Sequence, residues 1–291
     1  MYRGLQAAAA ASAGGFAQSY RSAQNSMDVE FAQLTDLGRV RQGNEDYLGH
    51  AAPTTPEDVR GRGWLFALAD GVGGHDLGEV ASRTAVESLI EGFRAASPGE
   101  LHPALLERLV KSANTRVIDA GHEASAGGAR MATTLVACAL RYDRATVAHV
   151  GDSRCYLIRR GQANLLTRDH TVVNEQVRLG IISRDEAASS ESRHLLSRSL
   201  GAELFVNADV EEHQVLVGDV LVLCSDGLHG SVSGSEIAAI TSHGGDLATA
   251  ARRLVDIANQ RDGSDNITVQ LIRVRSVERM GMYRGRPYRL P

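Results

Sequence analysis

Residues 131–152 read MATTLVACALRYDRATVAHVGD, two apolar runs separated by a short polar segment. Both runs are rich in residues that favour strands, and each has about the length of a buried strand. The dipeptide Asp143-Arg144 between them predicts a hairpin turn, which makes the two strands antiparallel. The stretch therefore favours a sheet in which strands consecutive in the chain lie side by side.

Further apolar patterns extend this interpretation in both directions along the chain. Strands are predicted at WLFALAD (64–70) and DVLVLCSD (219–226), and a second hairpin turn at Arg160-Gly161. Two amphipathic helices are predicted from apolar residues at helical spacing. The first has Val86, Leu89, Ile90 and Phe93 on its apolar face. The second begins after the predicted N-cap Asp246 and has Leu247, Ala250, Ala251, Leu254 and Ala258 on its apolar face. Strands interrupted by helices, without strict alternation of the two, predict an α+β fold.

The composition shows no bias toward a charged partner or a membrane. Of 291 residues, 43% are hydrophobic and 4% aromatic, which suffices for one large domain or two small ones. The formal net charge of −4 gives no attraction to nucleic acid, and no apolar run approaches the roughly 20 residues of a membrane span. The three cysteines form no CxxC motif, which favours a reducing compartment. We therefore expect a cytoplasmic protein that neither binds nucleic acid nor inserts into a membrane.

The two ends of the chain differ from its middle. Residues 1–27 contain no acid and are rich in small residues, so we expect a disordered extension, with an organelle transit peptide as the alternative. Residues 28–275 form the predicted folded domain. Within it, 168–200 is polar with short helical patterns and is predicted to be a surface flap. Residues 276–291 form an Arg-rich tail that shows no regular pattern.

Four aspartates lie at the ends of predicted strands. Asp70, Asp152 and Asp226 each close an apolar run, and Asp265 opens the segment DNITVQLIRV. Each one alone is explained by a turn, since Asp is common in turns. Together, carboxylates held at the ends of rigid strands supply the oxygen ligands that Mg²⁺ and Mn²⁺ prefer. Gly71 adds a backbone carbonyl that can turn toward an ion beside Asp70, because glycine has no Cβ.

Other site chemistries find little support in the sequence. The chain has no HExxH motif, no paired Cys/His spacing for zinc and no EF-hand loop. Cys224 is followed by SDGLHG rather than by the arginine-containing loop of a thiol phosphatase. The segment GVGGHDLG (71–78) resembles a dinucleotide-binding loop, but Asp76 replaces its third glycine and acids flank the segment.

Seven ordered motifs place the acids in a known context. They are RVRQGNED (39–46), ADGVGGHDLGE (69–79), MATTLVACAL (131–140), VAHVGDSRCYLIRRG (147–161), LTRDHTVV (166–173), VLCSDGL (222–228) and GSDNITV (263–269). Over residues 29–274 the chain resembles the type 2C (PPM) metal-dependent serine/threonine protein phosphatases, in their bacterial form. The resemblance implies a four-layer αββα sandwich, in which two antiparallel sheets are flanked by helices and the metal site lies at one edge of the sheets. It also implies Mn²⁺ or Mg²⁺ as the cofactor, as two or three ions.

The resemblance assigns five residues to metal binding. Asp70 is expected to bridge two metal ions, and Gly71 is expected to offer its carbonyl to one of them. Asp226 and Asp265 are expected to hold the other ion. Asp152, together with Asp226, resembles the third-metal site of bacterial members.

Further residues match the water-binding and phosphate-binding positions of the family. Glu45 and Asp46 are expected to bind metal-coordinated waters, and Arg41 is expected to bind the substrate phosphate, with a solvated surface charge as its alternative. His75 matches the histidine of the bacterial GGH motif and is a candidate proton donor to the leaving alkoxide. A metal-bound water is the alternative donor, because Val72 occupies the position where eukaryotic members place a histidine.

The implied reaction is hydrolysis of phosphoserine and phosphothreonine in proteins by a metal-activated bridging water. The alternative is a pseudophosphatase, a binding module with the same fold, which the loss of a metal-binding acid would indicate. All of those acids are present. The implied partners are phosphorylated proteins, in particular a Ser/Thr kinase and its substrates.

One residue and two segments depart from the family pattern or lie outside it. Ala132 stands where glycine is usual, and SSESRHLL (189–196) stands where HPxRNxL is usual, which leaves substrate preference open. The tail interleaves arginines with tyrosines and methionines. It is interpreted either as a frayed terminus or as a docking segment for an acidic partner.

Overall fold

The chain alternates groups of strands with groups of helices. The computed structural model describes residues 26–72, 76–124, 131–242, 245–283 and 286–289. Within these ranges the strands are β1 (Asp28–Asp36), β2 (Asp46–Ala51), β3 (Trp64–Val72), β4 (Ala132–Thr133), β5 (Leu135–Arg141), β6 (Arg144–Val150), β7 (Arg154–Arg159), β8 (Gln162–Leu165), β9 (Asp209–Gln214), β10 (Val220–Cys224), β11 (Ile267–Ser276), β12 (Met280–Tyr283) and β13 (Arg286–Arg289). The helices are α1 (Pro56–Gly61), α2 (Asp76–Ala95), α3 (His102–Ala124), α4 (Val172–Arg178), α5 (Arg184–Ser189), α6 (Asp226–His229), α7 (Gly234–Thr241) and α8 (Leu247–Arg261), with a 3₁₀ turn at Glu191–His194.

The longer strands form two antiparallel sheets. Sheet I has the order β2-β3-β5-β6-β9, with the short β4 paired to β3, and sheet II has the order β1-β11-β10-β7-β8. All strand pairs in both sheets are antiparallel. Because β6 belongs to sheet I and β7 to sheet II, the chain crosses between the sheets at residues 151–153. We call these three residues the crossing segment.

Three apolar cores hold the sheets and helices in four layers. One core lies between sheet I and helices α2 and α3 and includes Leu65 and Leu89. A second lies between sheet II and helices α6 to α8 and includes Leu254. The third joins the two sheets and includes Phe66 and Leu221. Leu65 and Phe66 are neighbours that face opposite cores, which explains why the β3 run is apolar at every position. The predicted αββα sandwich is confirmed.

Both predicted hairpins are present, and one turn lies a residue earlier than predicted. Arg160 and Gly161 form the β7-β8 turn with φ of 53° and 75°. The β5-β6 turn consists of Tyr142 and Asp143 rather than Asp143 and Arg144, because Arg144 is already paired as the first residue of β6. The predicted turn position is therefore wrong by one residue, although the strand order is right.

The two predicted amphipathic helices, α2 and α8, are present. In α2, Val86 and Leu89 are completely buried. The Asp246 side chain caps α8 by accepting a hydrogen bond of 2.8 Å from the Thr249 N–H, as the sequence predicts. Among the described residues, none of the helices combines the length and apolar character required to cross a bilayer.

The folded domain extends slightly beyond its predicted ends. Met27, placed by prediction in the extension, is 2% exposed and belongs to the core between the sheets. Residues 1–25 of that extension lie outside the described residues. At the other end, β11 continues to Ser276, which pairs with Asp28. The prediction of an irregular tail is wrong, because β12 and β13 form an antiparallel hairpin.

The predicted flap, residues 168–200, contains α4, α5 and the 3₁₀ turn. One isolated bridge, between Thr171 and Leu196, closes the flap on itself. Another, between Leu200 and Thr133, attaches its end to sheet I beside β3. The flap is therefore a short-helical excursion anchored next to the strand that carries Asp70.

Candidate active site

The predicted metal-binding acids come together at one end of the two sheets. In sheet I, β2 and β3 place Asp46 directly opposite Asp70. In sheet II, β10 and β11 are antiparallel neighbours. Asp226 follows β10 and Asp265 precedes β11, so these two acids lie at the same end of sheet II.

The acids raise one another's proton affinity. Burial raises the pKa of Asp70 well above its usual value. The negative charges of four neighbours raise it further, those of Asp46, Asp226, Asp152 and Asp265. Burial and the charge of Asp265 raise the pKa of Asp226. Acids perturb one another in this way only at short range, so we refer to these five residues as the acid cluster.

Two buried carboxylate oxygens of the cluster lack a hydrogen-bond donor. Ser225 Oγ donates to Asp46 Oδ2 over 2.7 Å. Among the described residues, neither Asp46 Oδ1 nor Asp226 Oδ1 has a hydrogen-bond partner. Burial raises the pKa of Asp46 to about 7, the charges of Asp226 and Asp265 add to the rise, and the hydrogen bond from Ser225 opposes it. Buried carboxylate oxygens without donors are costly unless a cation compensates them.

Arg41 lies at the rim of the acid cluster. Its Nη2 is 2.7 Å from Asp265 Oδ2, and its Nη1 is 3.8 Å from Glu45 Oε2. The hydrogen bond with Asp265 is the main reason why the pKa of the guanidinium is raised. Because 44% of the side chain is exposed, the guanidinium is accessible to a phosphate group.

A buried amide, Asn266, holds the loop that carries Arg41. Its Oδ1 accepts a hydrogen bond of 2.8 Å from the Glu45 N–H. Its Nδ2 donates to the carbonyls of Leu37 and Gly43 over 3.0 and 3.1 Å. Asn266 is only 3% exposed. Asn266 is not among the predicted site residues, although its place in the motif GSDNITV next to Asp265 points to it.

The backbone approaches itself closely at Gly71. A Cβ on Gly71 would lie 2.3 Å from the carbonyl oxygen of Gly78 and 2.8 Å from that of Glu45. The Gly71 N–H donates to the same Glu45 carbonyl over 3.1 Å. Any side chain here would push β3 away from α2 and from the Glu45 loop. Position 71 therefore requires glycine for steric reasons. The contact of the Gly71 carbonyl with a metal ion stays a prediction.

Asp152, which is also a member of the acid cluster, lies in the crossing segment. It is 8% exposed, and burial, together with the charges of Asp226 and Asp169, raises its pKa to about 7. The His229 ring donates from Nε2 to the Asp152 carbonyl over 3.0 Å. Burial lowers the pKa of His229 to about 4, so this ring is neutral at physiological pH.

The flap contributes two residues that the sequence analysis did not assign. His194 Nδ1 is 3.9 Å from Asp226 Oδ2. Arg193 Nε donates to His194 Nε2 over 2.8 Å. Both residues belong to the segment 189–196, where the sequence departs from the family pattern, and this departure is the signal that points to them.

A second group of ligand-type side chains lies outside the acid cluster. His149, His170 and Asp209 each place one ligand atom within 4.8 Å of the others. The Gly151 N–H donates to His170 Nδ1 over 3.2 Å, so neutral His170 carries its proton on Nε2, which is 3.3 Å from Asp209 Oδ2. Arg198 also contacts Asp209, at 2.9 Å. With one ring nitrogen accepting and the other protonated, His170 has no lone pair for a metal. Among the described residues, His170 Nε2 has no hydrogen-bond partner, and the hydrogen bond to Asp209 comes from Arg198.

The structure brings all predicted site residues within the described ranges to this one end of the sheets. His75 lies outside the described residues, so its role as a proton donor stays a prediction. The predicted site is thus a buried acid cluster with an accessible arginine at its rim.

Comparison with known proteins gives a consistent picture. The family model described as Protein phosphatase 2C matches residues 42–271. A putative protein phosphatase 2C-type of Streptococcus pyogenes is 36% identical over 246 residues, which cover 84% of this chain and 97% of the relative. A serine/threonine phosphatase structure from S. agalactiae is 34% identical with a TM-score of 0.77, covering 85% of this chain and 100% of that one. The catalytic domain of the serine/threonine protein phosphatase PstP, in complex with two manganese ions, is 34% identical with a TM-score of 0.73, covering 86% and 100%.

The αββα sandwich and the acid cluster at the ends of its sheets define a metal-dependent serine/threonine protein phosphatase. The chain belongs to the protein phosphatase 2C (PPM) family, in its bacterial form.

Proposed function

We propose that this enzyme hydrolyses phosphoserine and phosphothreonine in proteins with Mn²⁺ or Mg²⁺ ions held by the acid cluster. The observation that carries the proposal is the pair of buried oxygens, Asp46 Oδ1 and Asp226 Oδ1, that have no donor among the described residues. An ion bound to Asp226, with one of its waters bound to Asp46, would supply both missing partners.

The donor set of the acid cluster fits these ions. Hard divalent cations prefer carboxylate and carbonyl oxygens. In the metal-free protein the pKa of both Asp46 and Asp152 is about 7. A nearby cation favours the ionised form of each acid and offsets the repulsion between them.

We assign the ligands according to the family pattern. Asp70 would be shared by two ions, and the Gly71 carbonyl would help to hold one of them. Asp226 and Asp265 would hold the other. Asp152, with Asp226, would hold a third ion.

The chemistry divides between the ions and the residues around them. When bound, Mn²⁺ or Mg²⁺ supplies positive charge for the phosphoryl oxygens and lowers the pKa of water, so that a nucleophile exists at neutral pH. Glu45 and Asp46 hold water molecules at the site, and Asp46 Oδ1 is available to accept a hydrogen bond. Burial raises the pKa of Cys224 to about 12, so its thiol is not ionised at neutral pH and takes no part as a nucleophile.

Arg41 and His75 act on the substrate. Arg41 releases Asp265 and clamps two phosphate oxygens with its planar fork. His75 gives a proton to the leaving serine or threonine oxygen, an assignment that rests on the sequence motif alone.

The test compares Asp226→Asn with a matched variant, Asp143→Asn. Asp143 is also buried, at 2% exposure, but lies in the turn at the opposite end of β5. We expect Asp226→Asn to hydrolyse p-nitrophenyl phosphate at less than about a tenth of the wild-type rate at saturating Mn²⁺, because the amide lacks the charge that holds the ions. Asp143→Asn should remain active. Substantial activity in folded Asp226→Asn would show that the ligand assignment is wrong, and an inactive wild type would favour the pseudophosphatase.

We also propose the biological setting of the reaction. Family membership supports phosphorylated proteins as substrates, and we propose a Ser/Thr kinase and the targets of that kinase. All three cysteines are free and buried, which supports a place in the cytoplasm. The Arg-rich tail is proposed as the docking segment for an acidic partner, in keeping with the 48% exposure of Tyr288.

A further inference from the structure

The strand ladder that positions Asp70 is interrupted at that residue. β3 pairs with β5 up to Leu68 and with β4 from Gly71 onward, in one continuous register. In this register Asp70 faces Thr134, the residue between β4 and β5. The proposed bridging metal ligand therefore depends on a contact outside the regular strand pairing.

In the Asp70–Thr134 pair, the Thr134 hydroxyl replaces the Thr134 carbonyl as the acceptor of a backbone hydrogen bond. The Thr134 N–H donates to the Asp70 carbonyl over 2.8 Å, as in an ordinary ladder. In return, the Asp70 N–H donates over 2.9 Å to Thr134 Oγ1. The same Oγ1 lies 2.7 Å from Ser153 Oγ. Thr134 and Ser153 are each 1% exposed, so neither hydroxyl has access to solvent as an alternative partner.

Ser153 belongs to the crossing segment, directly after Asp152. Gly151, on the other side of Asp152, has φ of +102°, and a Cβ on it would lie 2.7 Å from the Thr134 side chain. Thr134 therefore contacts both residues that flank Asp152. Its hydroxyl joins the backbone of Asp70 to the segment that carries Asp152.

We infer that Thr134 is a positioning residue whose hydroxyl sets Asp70 relative to Asp152 and so couples the metal ions that these two aspartates hold. The inference rests on the metal assignment proposed above. Thr134 acts through the Asp70 N–H and the Ser153 hydroxyl. Valine has nearly the same shape but no hydroxyl, so Thr134→Val leaves both groups without this partner.

The test measures Mn²⁺ binding by calorimetry to the full-length protein after chelation. Thr146→Val is the matched control, since Thr146 in β6 is also fully buried, and its hydroxyl has no partner among the described residues. We expect Thr134→Val to bind Mn²⁺ about tenfold more weakly or worse. Thr134→Ser should restore wild-type affinity, and Thr146→Val should match the wild type.

Equal Mn²⁺ affinities for folded Thr134→Val and Thr146→Val would overturn the inference. If Thr134→Val does not fold, Ser153→Ala tests the same link from its other end, and an unchanged affinity there would also overturn it. Asp226→Asn in the same titration distinguishes a wrong metal assignment from a wrong role for Thr134. If Asp226→Asn binds Mn²⁺ as the wild type does, the metal assignment fails and this inference falls with it. If Asp226→Asn loses Mn²⁺ while Thr134→Val keeps it, only the role of Thr134 is disproved.

Discussion

Asp152 shows how the surroundings of one carboxyl group link metal binding to stability. Burial and the charges of Asp226 and Asp169 raise its pKa from 3.8 to about 7. In the metal-free protein the folded state therefore keeps this proton at pH values where the unfolded chain has lost it. The stability contributed by Asp152 is present at low pH, decreases as the pH rises between these two values, and is lost above about pH 7.

Asp152→Asn should remove this pH dependence in excess chelator. We expect the variant to unfold at a higher temperature than the wild type at about pH 8, by an amount that corresponds to at most about 4 kcal/mol and shrinks toward about pH 5. Thermal unfolding across this pH range measures the difference. In saturating Mn²⁺ the order should reverse, because the variant lacks a ligand. A difference that stays constant with pH would contradict the prediction.

Arg41→Ala should chiefly raise KM for a phosphopeptide, by about tenfold, with a smaller fall in kcat. An arginine that grips phosphate in both ground and transition states contributes mostly uniform binding. Arg39→Ala is the control, because Arg39 is an exposed arginine two residues earlier in the same loop. Steady-state kinetics of both variants check the prediction. Equal KM values for Arg41→Ala and Arg39→Ala would show that Arg41 is only a solvated surface charge.

At the residue scale, the sequence identifies charged residues better than the neutral residues that hold them. Asp70 and Asp226 stand in motifs whose composition already suggests metal chemistry. Thr134 and Asn266 also stand in motifs, MATTLVACAL and GSDNITV, but their roles depend on which atoms meet after folding. The hydrogen bond between Asn266 and Glu45, for example, joins residues 221 positions apart, and the sequence pattern contains no signal for that contact.

At the element scale, a bidentate ion pair ties the beginning of the flap to β7. Arg154, the first residue of β7, donates to both Asp169 oxygens over 2.9 and 2.6 Å. At the other end of the same strand, Arg159 makes an equivalent pair with Asp219 over 2.9 and 2.7 Å. The strand thus carries two similar clamps, of which only the first holds the flap.

Asp169→Asn and Asp219→Asn should therefore have similar costs in stability but different effects on the flap. We expect each to reduce the free energy of unfolding by about 2 kcal/mol, because an arginine loses its charged partner. Only Asp169→Asn should speed proteolytic cleavage within residues 168–200 under native conditions. Mass spectrometry of the limited digests identifies the cleavage sites. Equal flap cleavage in the two variants would mean that this clamp does not secure the flap.

Elements with continuous apolar runs were predictable, and elements without them were not. β3 and β5 are buried on both faces, so their composition alone indicates strands. The β5-β6 turn was misplaced because Tyr142 adopts φ of 61°, a conformation that its residue type does not suggest. The β12-β13 hairpin shows no alternation of polar and apolar residues, so pattern analysis could not find it.

At the scale of the whole molecule, the acid cluster joins the two sheets. Asp46 and Asp70 come from sheet I, and Asp226 and Asp265 flank strands of sheet II. The hydrogen bond between Ser225 and Asp46 crosses the same boundary over 2.7 Å. A metal ion bound by these acids would hold both halves of the sandwich, so we expect metal binding and folding of the domain to be coupled.

The C-terminal part of the chain is also tied to this sandwich. Val277 contacts the core between the sheets. Glu278 is 6% exposed, accepts a hydrogen bond of 3.0 Å from Arg60, and donates its N–H to the Tyr142 carbonyl over 3.3 Å. The folded domain therefore reaches at least to Glu278, and a cut that tests the tail must come after this residue.

Deletion of residues 279–291 should leave hydrolysis of p-nitrophenyl phosphate unchanged, because the acid cluster and all of β11 remain. If the tail docks an acidic partner, dephosphorylation of a phosphorylated Ser/Thr kinase domain should slow by about tenfold and lose most of its salt dependence. A full-length variant with the tail arginines replaced by glutamine is the control that separates charge from length. Deletion after Val274 should instead lower the unfolding temperature, because it removes the end of β11 and the Glu278 anchor. Equal rates on both substrates after deletion of 279–291, at low and high salt, would leave the tail without a docking role.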